Sequence, residues 1–326
     1  MRRAMWRRAA LGLLVWLLTA AWLQPAAATE TDQWLAWLVE LPDATAPLNA
    51  YMNEELARML EEIGGKTPPC SKLPKRFFRR LFPSMLQSRI RRVVFRERNA
   101  VVRFPGTEVG YFGYLRASIY RRLAFPFLMP MSRTIEMNGI RMGSDKLGHM
   151  LGHGRHYYNR YLKARSRGLS VEEALLKAVR WGVRVESLFV GGLVDGVFSH
   201  ADLEANFQGM QLARRFCEGP KPYLERTNEG WRQVRPVDLR DFVNPGFDES
   251  YNNSYYARFR WKRVRPILVK DHCPHYSTAA VQDRLAYYRR IDEPSLSRRF
   301  IQAEYQSRGK FLQAEQNVEA LCGSLE

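Results

Sequence analysis

The spacing of apolar and polar residues predicts helices over much of the chain. In "LNAYMNEELARMLEEIGG", apolar residues recur every three or four positions and two glycines follow, as at the end of a helix. The helix predicted over 170–186 begins with a capping box between Ser170 and Glu173. Two more helices are predicted over about 278–290 and 295–320. The pattern therefore indicates a mainly α fold.

A short β-hairpin interrupts this helical pattern. The stretch "SLFVGGLVDGVFS" has apolar residues on both sides of Asp195-Gly196, a pair that favours a hairpin turn. Beyond it the composition changes. Residues 29–135 are aromatic and basic, 136–218 carry the regular helical pattern, and 219–326 are rich in Pro, Trp and Tyr. We therefore expect a helical core between a basic N-terminal region and a C-terminal region that packs on the core.

Residues 1–28 have the pattern of a secretory signal peptide. Arginines precede the apolar run "ALGLLVWLLTAAWL", and Pro25 and three alanines follow it. We expect cleavage near Ala28 and a periplasmic or secreted mature protein. No second apolar run approaches the roughly 20 residues that a membrane span needs.

The chain contains four cysteines, which would lie in an oxidising compartment after export. None of them forms a CxxC pair, the spacing that would indicate zinc binding or redox chemistry. We expect two structural disulfides, for which three pairings are open. The candidates are Cys70, Cys217, Cys273 and Cys322.

The formal net charge of +18 indicates an anionic partner. Basic and aromatic residues are concentrated in "PKRFFRRLFPSMLQSRIRRVVFRER", over 74–98. Nucleic acid fits export poorly, and the chain has no nucleic-acid-binding motif. We therefore expect an anionic component of the cell envelope, either a lipid headgroup or an acidic polymer. A basic face that is merely solvated is the alternative.

The helix predicted over 144–164 carries a stripe of ionisable side chains. With Asp145 at zero on a helical wheel, His149, His153 and His156 all lie within about 80° of it. Glycines interrupt the helix beside this stripe. Such glycines usually permit the close approach of another backbone or of a ligand.

The two helices that follow also carry polar groups where apolar ones are expected. Glu186 ends the apolar stripe of the helix over 170–186, and Asp202 and Asn206 lie at the centre of the apolar face of the helix over 200–216. Buried polar groups are costly unless they are satisfied. The simplest arrangement brings them together with Asp145, either as a site of chemistry or as a buried hydrogen-bond network.

Three blocks of this region resemble the VanZ-like pattern, which runs DKxxH, then a glutamate, then DxxxNxxG. "DKLGH" supplies Asp145, Lys146 and His149, Glu186 follows, and "FSHADLEANFQG" supplies the last block. A related group of periplasmic proteins of unknown function has DKxxH and FSxxDL in the same order. The resemblance covers about residues 143–213 and implies a site that functions in the cell envelope.

The chain also departs from the VanZ-like proteins, which are helical membrane proteins linked to glycopeptide-antibiotic resistance. Its mature part has no apolar run of membrane length, and it adds His153, His156 and His200. Met150 stands where a phenylalanine usually follows the motif histidine. The resemblance implies the site residues and the setting, and it leaves the reaction open.

One hypothesis for the reaction is metal-dependent hydrolysis. His149 and His153 have the i, i+4 spacing by which one helix offers two imidazoles to a divalent transition metal such as zinc. Glu186 or Asp202 would be the third ligand, and the other carboxylate a general base for water. The other residues expected to line the ligand pocket are Lys146, His156, Ser199 and Asn206. The substrate would be an envelope glycan or a lipid-linked molecule.

Two alternatives stay open at this point. A helix that ends in glutamate, followed by a hairpin and another helix, is similar in layout to lysozyme-like enzymes. In that case Glu186 would be the catalytic acid, with Asp195 or Asp202 as its partner carboxylate. The second alternative is an envelope protein that is not an enzyme, in which the polar cluster is structural or binds an anionic ligand.

Overall fold

The computed structural model describes most of the chain after residue 29. The described ranges are 30–84, 89–96, 101–122, 131–187, 196–307, 309 and 316–323. The predicted signal peptide lies outside them. Helices dominate these ranges, and strands occur in them as two-stranded pairs, which confirms the mainly α fold. None of the described helices is both long enough and apolar enough to cross a membrane.

The helices follow the apolar pattern of the sequence closely. In chain order they are α1 (Thr45–Ile63), α2 (Leu73–Leu81), α3 (Arg89–Arg96), α4 (Tyr111–Ala117), α5 (Asp145–Gly148), α6 (Gly154–Arg165), α7 (Val171–Val185), α8 (His200–Arg214), α9 (Arg258–Ile267), α10 (Ala279–Ile291), α11 (Leu296–Ile301) and α12 (Val318–Cys322). The predicted capping box is present: the Ser170 hydroxyl accepts from Glu173 N, and the Glu173 carboxylate accepts from Ser170 N at 2.8 Å.

The described strands are short and form two-stranded pairs. They are β1 (Glu30–Thr31), β2 (Met131–Ser132), β3 (Thr134–Met137), β4 (Ile140–Gly143), β5 (Val197–Phe198), β6 (Leu224–Thr227), β7 (Gly230–Gln233) and β8 (Tyr255–Tyr256). β1 pairs with β2 in parallel, and the other three pairs are antiparallel. β4 leads directly into α5. The candidate site residues on α5 therefore begin at the end of a hairpin.

One predicted element lies largely outside the described ranges, and another needs correction. Residues 188–195 of the predicted hairpin lie outside the described ranges, and the strand that follows, β5, pairs with the distant β8. The helix predicted over 295–320 is broken: α11 continues only as a π-helical turn, and α12 is a separate short helix. Gly309 lies between them at φ 64°, in the left-handed region that commonly ends helices.

Both predicted disulfides are present. Cys70 pairs with Cys217 and connects the start of α2 to the end of α8. Cys273 pairs with Cys322 and holds α12. The Tyr288 hydroxyl of α10 accepts from the backbone N–H of Arg141, at 2.8 Å. These contacts join the C-terminal helices α10 and α12 to earlier parts of the chain.

Helices α6, α7 and α8 pack against one another around the main hydrophobic core. Between α5 and α6 the chain forms one π-helical turn, His149–His153, which lies against α8. Gly209 of α8 is at this crossing, where a Cβ atom would overlap the carbonyl oxygen of Met150. The expected close approach at a glycine is thus made to a backbone, and it fixes α8 against the histidine-bearing turn.

We predict that Gly209→Ala destabilises the protein by about 3 kcal/mol, since the backbone it would meet cannot rotate away as a side chain can. Urea unfolding of both proteins measures the difference. Gly110→Ala is the matched control, because a Cβ atom at Gly110 has no neighbour within 4 Å. Equal stability of the two variants would mean that the contact at Gly209 does not constrain the fold.

Candidate functional site

A lysine ammonium lies at the centre of the candidate site. Lys146 is 0% exposed, and its Nζ atom donates to three carboxylates. The acceptors are Asp145 Oδ2 at 2.8 Å, Asp202 Oδ1 at 2.6 Å and Glu249 Oε1 at 2.5 Å. All three carboxylates are buried as well. The three protons of the ammonium therefore join α5, α8 and the segment before β8 in one network.

This network contains more negative than positive charge. Burial by itself would lower the pKa of Lys146, but the adjacent carboxylates of Asp145, Asp202 and Glu249 raise it well above its ordinary value. The ammonium is thus charged at physiological pH. Burial also raises the pKa of Glu249 to about 7; Lys146 opposes this shift, whereas Asp202 and Asp145 add to it. Three carboxyl groups around one cation favour either a proton on Glu249 or a further cation.

The imidazole of His149 lies beside this network and has a defined orientation. Its Nδ1 atom is 3.2 Å from Asn206 Oδ1, and its Nε2 atom is 3.3 Å from Asp202 Oδ2. Since an amide oxygen only accepts, Nδ1 carries a proton and donates it to Asn206. In the neutral ring Nε2 then has a lone pair directed towards Asp202 Oδ2, a buried oxygen that accepts no hydrogen bond in the described part of the chain. Two electron-rich atoms at this distance require a cation or a proton between them.

The geometry around His149 fits a metal ion. Asp145, His149 and Asp202 each offer a ligand atom, and these atoms all lie within 4.8 Å of one another. Two ligands that bind zinc tetrahedrally at about 2.1 Å are roughly 3.4 Å apart, which is close to the 3.3 Å between His149 Nε2 and Asp202 Oδ2. Asn206 supplies the outer hydrogen bond that metal-binding imidazoles usually make. A divalent cation would also balance the excess negative charge.

Ser199 connects Glu186 to this cluster. The backbone N–H of Ser199 donates to Glu186 Oε1 at 3.1 Å, and its hydroxyl donates to Glu249 Oε1 at 3.3 Å. The same hydroxyl accepts from Asp202 N and caps α8. Glu186 is 4% exposed. The residues predicted on three helices are therefore brought together, and Ser199 and Glu249 lie between Glu186 and Lys146.

The remaining predicted histidines, His153 and His156, form a row of contacting rings that extends from His149 towards the surface. The His153 ring stacks on the His149 ring at 5.1 Å between centroids, and His156 lies edge-on to His153 at 6.2 Å. His149 is buried, His153 is half-buried and His156 is exposed. Burial is the main cause that lowers the pKa of His153, to about 3, so this ring is neutral. Among the described residues, the group with ligand atoms close enough for one ion includes neither His153 nor Glu186.

Two residues of the cluster were not predicted from the sequence. Glu249 accepts one of the three hydrogen bonds of Lys146, and Thr31 of β1 donates to Asp145 Oδ1 at 2.8 Å. Both lie in segments without a helical or alternating pattern, so no face of an element marks them as buried. The available signal was the acidic pair in "GFDESY", which stands within an aromatic stretch.

We predict a pH-dependent stability that originates at Glu249. This carboxyl ionises near 4.5 in the unfolded chain and near 7 in the folded one, so the folded state binds more protons between these values. Its contribution to the free energy of unfolding is complete below 4.5 and is lost, by roughly 3 kcal/mol, as the pH rises through 7. Urea unfolding at about pH 5 and about pH 8 measures it.

Glu249→Gln removes the ionisable group, and its pH dependence should be flatter than that of the wild type by this amount. Glu225→Gln is the control, since Glu225 lies on an exposed hairpin and pairs with Arg232. Parallel pH dependences of the wild type and Glu249→Gln would contradict the assignment.

Comparisons with known proteins add no further assignment. No family model matches the chain, and searches of curated proteins and of solved structures find no match. The resemblance of residues 143–213 to the VanZ-like pattern thus stays a prediction. The functional evidence is therefore the site itself. It is a buried cluster of lysine, carboxylates and histidine in a mainly α, disulfide-bonded protein.

Proposed function

We propose that the chain is an exported protein of the cell envelope and that its Asp145–His149–Asp202 group binds a divalent transition metal, such as zinc, for a hydrolytic reaction. The observation that carries this proposal is the 3.3 Å approach of His149 Nε2 to Asp202 Oδ2, with Asn206 holding the proton on Nδ1. The substrate class that we propose is an envelope glycan or a lipid-linked molecule.

The net charge of the cluster favours a bound metal ion over a hydrogen-bond network that holds no ion. Asp145, Asp202 and Glu249 surround Lys146, and all four side chains are buried. Desolvating two uncompensated negative charges is costly, and a bound divalent cation would compensate both. The ligand set of one imidazole and two carboxylates suits zinc and other first-row metals.

Glu249 is the best-placed proton carrier for such a reaction. Without a bound cation, burial raises its pKa to about 7, and a proton carrier works best with a pKa near the operating pH. In hydrolysis the hydroxyl of water adds to the electrophilic atom of the substrate, and the bond to the leaving oxygen breaks. Glu249 would take the proton of the water and return it to the leaving group, while Lys146 holds the carboxylates in position.

The envelope setting is supported by independent features of the chain. The sequence of residues 1–28 predicts export, and two disulfides are formed, as is usual for proteins outside the cytosol.

The row of histidine rings extends from the buried His149 to the exposed His156. We propose that substrate approaches along this side of α6.

Complete burial favours a second candidate, a structural network without catalysis. Lys146 and Glu249 make strong ionic contacts that lock α5, α8 and the segment before β8 together. The lysozyme-like alternative has less support, because Glu186 is buried and its Oε1 atom already accepts from the backbone N–H of Ser199. Metal content separates the first candidate from the second.

We predict about one equivalent of transition metal in protein recovered from the periplasm without chelators or a histidine tag. Asp202→Asn and His149→Gln should lose the metal, because each removes one ligand of the Asp145–His149–Asp202 group. His153→Ala should retain it, since His153 is not in this group. Elemental analysis of folded variants, checked by circular dichroism, gives the result. His275→Ala serves as the control outside the site.

A metal-free wild-type protein would support the structural network instead. Loss of metal in His153→Ala and its retention in Asp202→Asn would support the ligand set that the sequence alone indicated, His149, His153 and Glu186.

We further predict that Glu249→Gln keeps the metal and loses hydrolysis by on the order of a hundredfold or more, since proton transfer contributes about that much. The measurement is release of soluble fragments from isolated cell envelopes by the metal-loaded protein. Glu225→Gln is again the control. Undiminished release by Glu249→Gln would exclude Glu249 as the proton carrier.

A further inference from the structure

Helix α9 presents a basic face that the candidate site does not use. Trp261, Val264 and Ile267 are buried and attach one side of the helix to a second hydrophobic cluster, separate from the main core, which also contains Val281 and Leu285 of α10. At about 100° per residue the opposite side is continuous. It comprises Arg258, Phe259, Lys262, Arg263 and Arg265, which we call the α9 cationic face.

The cations of this face are not neutralised within the described part of the chain. Arg258, Lys262 and Arg265 are exposed and form no ion pair with a described carboxylate. The guanidinium of Arg263 donates to the backbone oxygen of Phe259 at 3.0 Å, which leaves its charge uncompensated. Positive charge is therefore concentrated along about two turns of one helix.

An aromatic ring stands among these cations. Phe259 is 42% exposed, and it lines a shallow surface depression together with Arg258, Lys262 and Arg263. One side of the ring lies over Gly196, where a Cβ atom would overlap it. The guanidinium carbon of Arg260 lies 5.8 Å from the centre of the ring, which the fold thus holds in place while leaving part of it exposed. An exposed aromatic ring within a basic helix face is typical of proteins that lie on membranes.

The basic N-terminal segment over 74–98 is organised differently in its described part. Phe77 and Phe78 are buried in the main core, and Arg80 pairs with Glu55 and Glu62 of α1. Phe77 and Phe78 are therefore unavailable for a partner, and part of the charge of the described part is neutralised. The structure thus favours α9 over this segment as the surface that meets an anionic partner.

We propose that the α9 cationic face docks the protein on a bilayer that contains anionic phospholipids. Arg258, Lys262 and Arg265 would bind lipid phosphates, and Phe259 would enter the boundary between headgroups and acyl chains. The combination of free cations with an apolar ring selects a bilayer, because a soluble acidic polymer offers the ring no apolar phase. This inference is independent of the chemistry of the Asp145–His149–Asp202 group.

The test is sedimentation of the full mature chain with vesicles. Vesicles of phosphatidylcholine with about one third phosphatidylglycerol are compared with pure phosphatidylcholine. The triple variant Arg258→Gln, Lys262→Gln, Arg265→Gln should bind the anionic vesicles on the order of a hundredfold more weakly, at roughly fivefold per cation. The matched control removes three exposed cations elsewhere. It is Lys163→Gln, Arg167→Gln, Arg184→Gln, which should bind like the wild type.

Variants of Phe259 separate the bilayer from other anionic partners. Phe259→Ser should weaken vesicle binding about tenfold, and Phe259→Leu should restore most of it, because only the apolar contact is lost and regained. Wild-type binding by the α9 triple variant would overturn the proposal, as would equal binding to neutral vesicles. Binding to dextran sulfate that is tighter than to vesicles and insensitive to Phe259→Ser would overturn it in favour of an acidic polymer.

Discussion

The burial of one lysine ammonium among three carboxylates is the constraint on which the rest of the structure depends. Lys146 and its partners are removed from water, so each ion loses hydration that only the others can replace. The carboxylates come from α5, α8 and the segment before β8, which are distant in sequence. These segments therefore have to meet at the ammonium of Lys146. The hairpin that leads into α5 positions that helix, and the cap at Ser199 positions the start of α8.

A close helix crossing sets the geometry beside this lysine. On α8, Asp202, Asn206 and Gly209 are spaced by four and three residues and so share one face. Gly209 lets this face meet the backbone at Met150, and Asp202 and Asn206 are thereby brought to the two ring nitrogens of His149. The three residues of the block DxxxNxxG thus have one physical role here: the glycine permits the approach that the acid and the amide require.

Much of this arrangement could be predicted from the sequence, because it depends on helical periodicity. The stripe on α5 and the π-helical turn, the capping box at Ser170 and the polar centre of α8 follow from spacing alone. Glu249 and Thr31 could not be predicted, since they reach the site through irregular chain whose direction is set by tertiary packing. Periodicity also placed His153 beside His149 without showing that the two rings would stack instead of converging on one ion.

The structural and the catalytic interpretations both depend on the buried charges of Lys146 and its three carboxylates. A network that served stability alone would be best with equal numbers of opposite charges, and apolar residues of the same size would often serve as well. Here three carboxylates meet one ammonium, and the Nε2 atom of His149 lies 3.3 Å from the second carboxylate oxygen of Asp202. Lys146 explains why the carboxylates can be buried. It does not account for the excess of negative over positive charge, and a second cation would neutralise this excess.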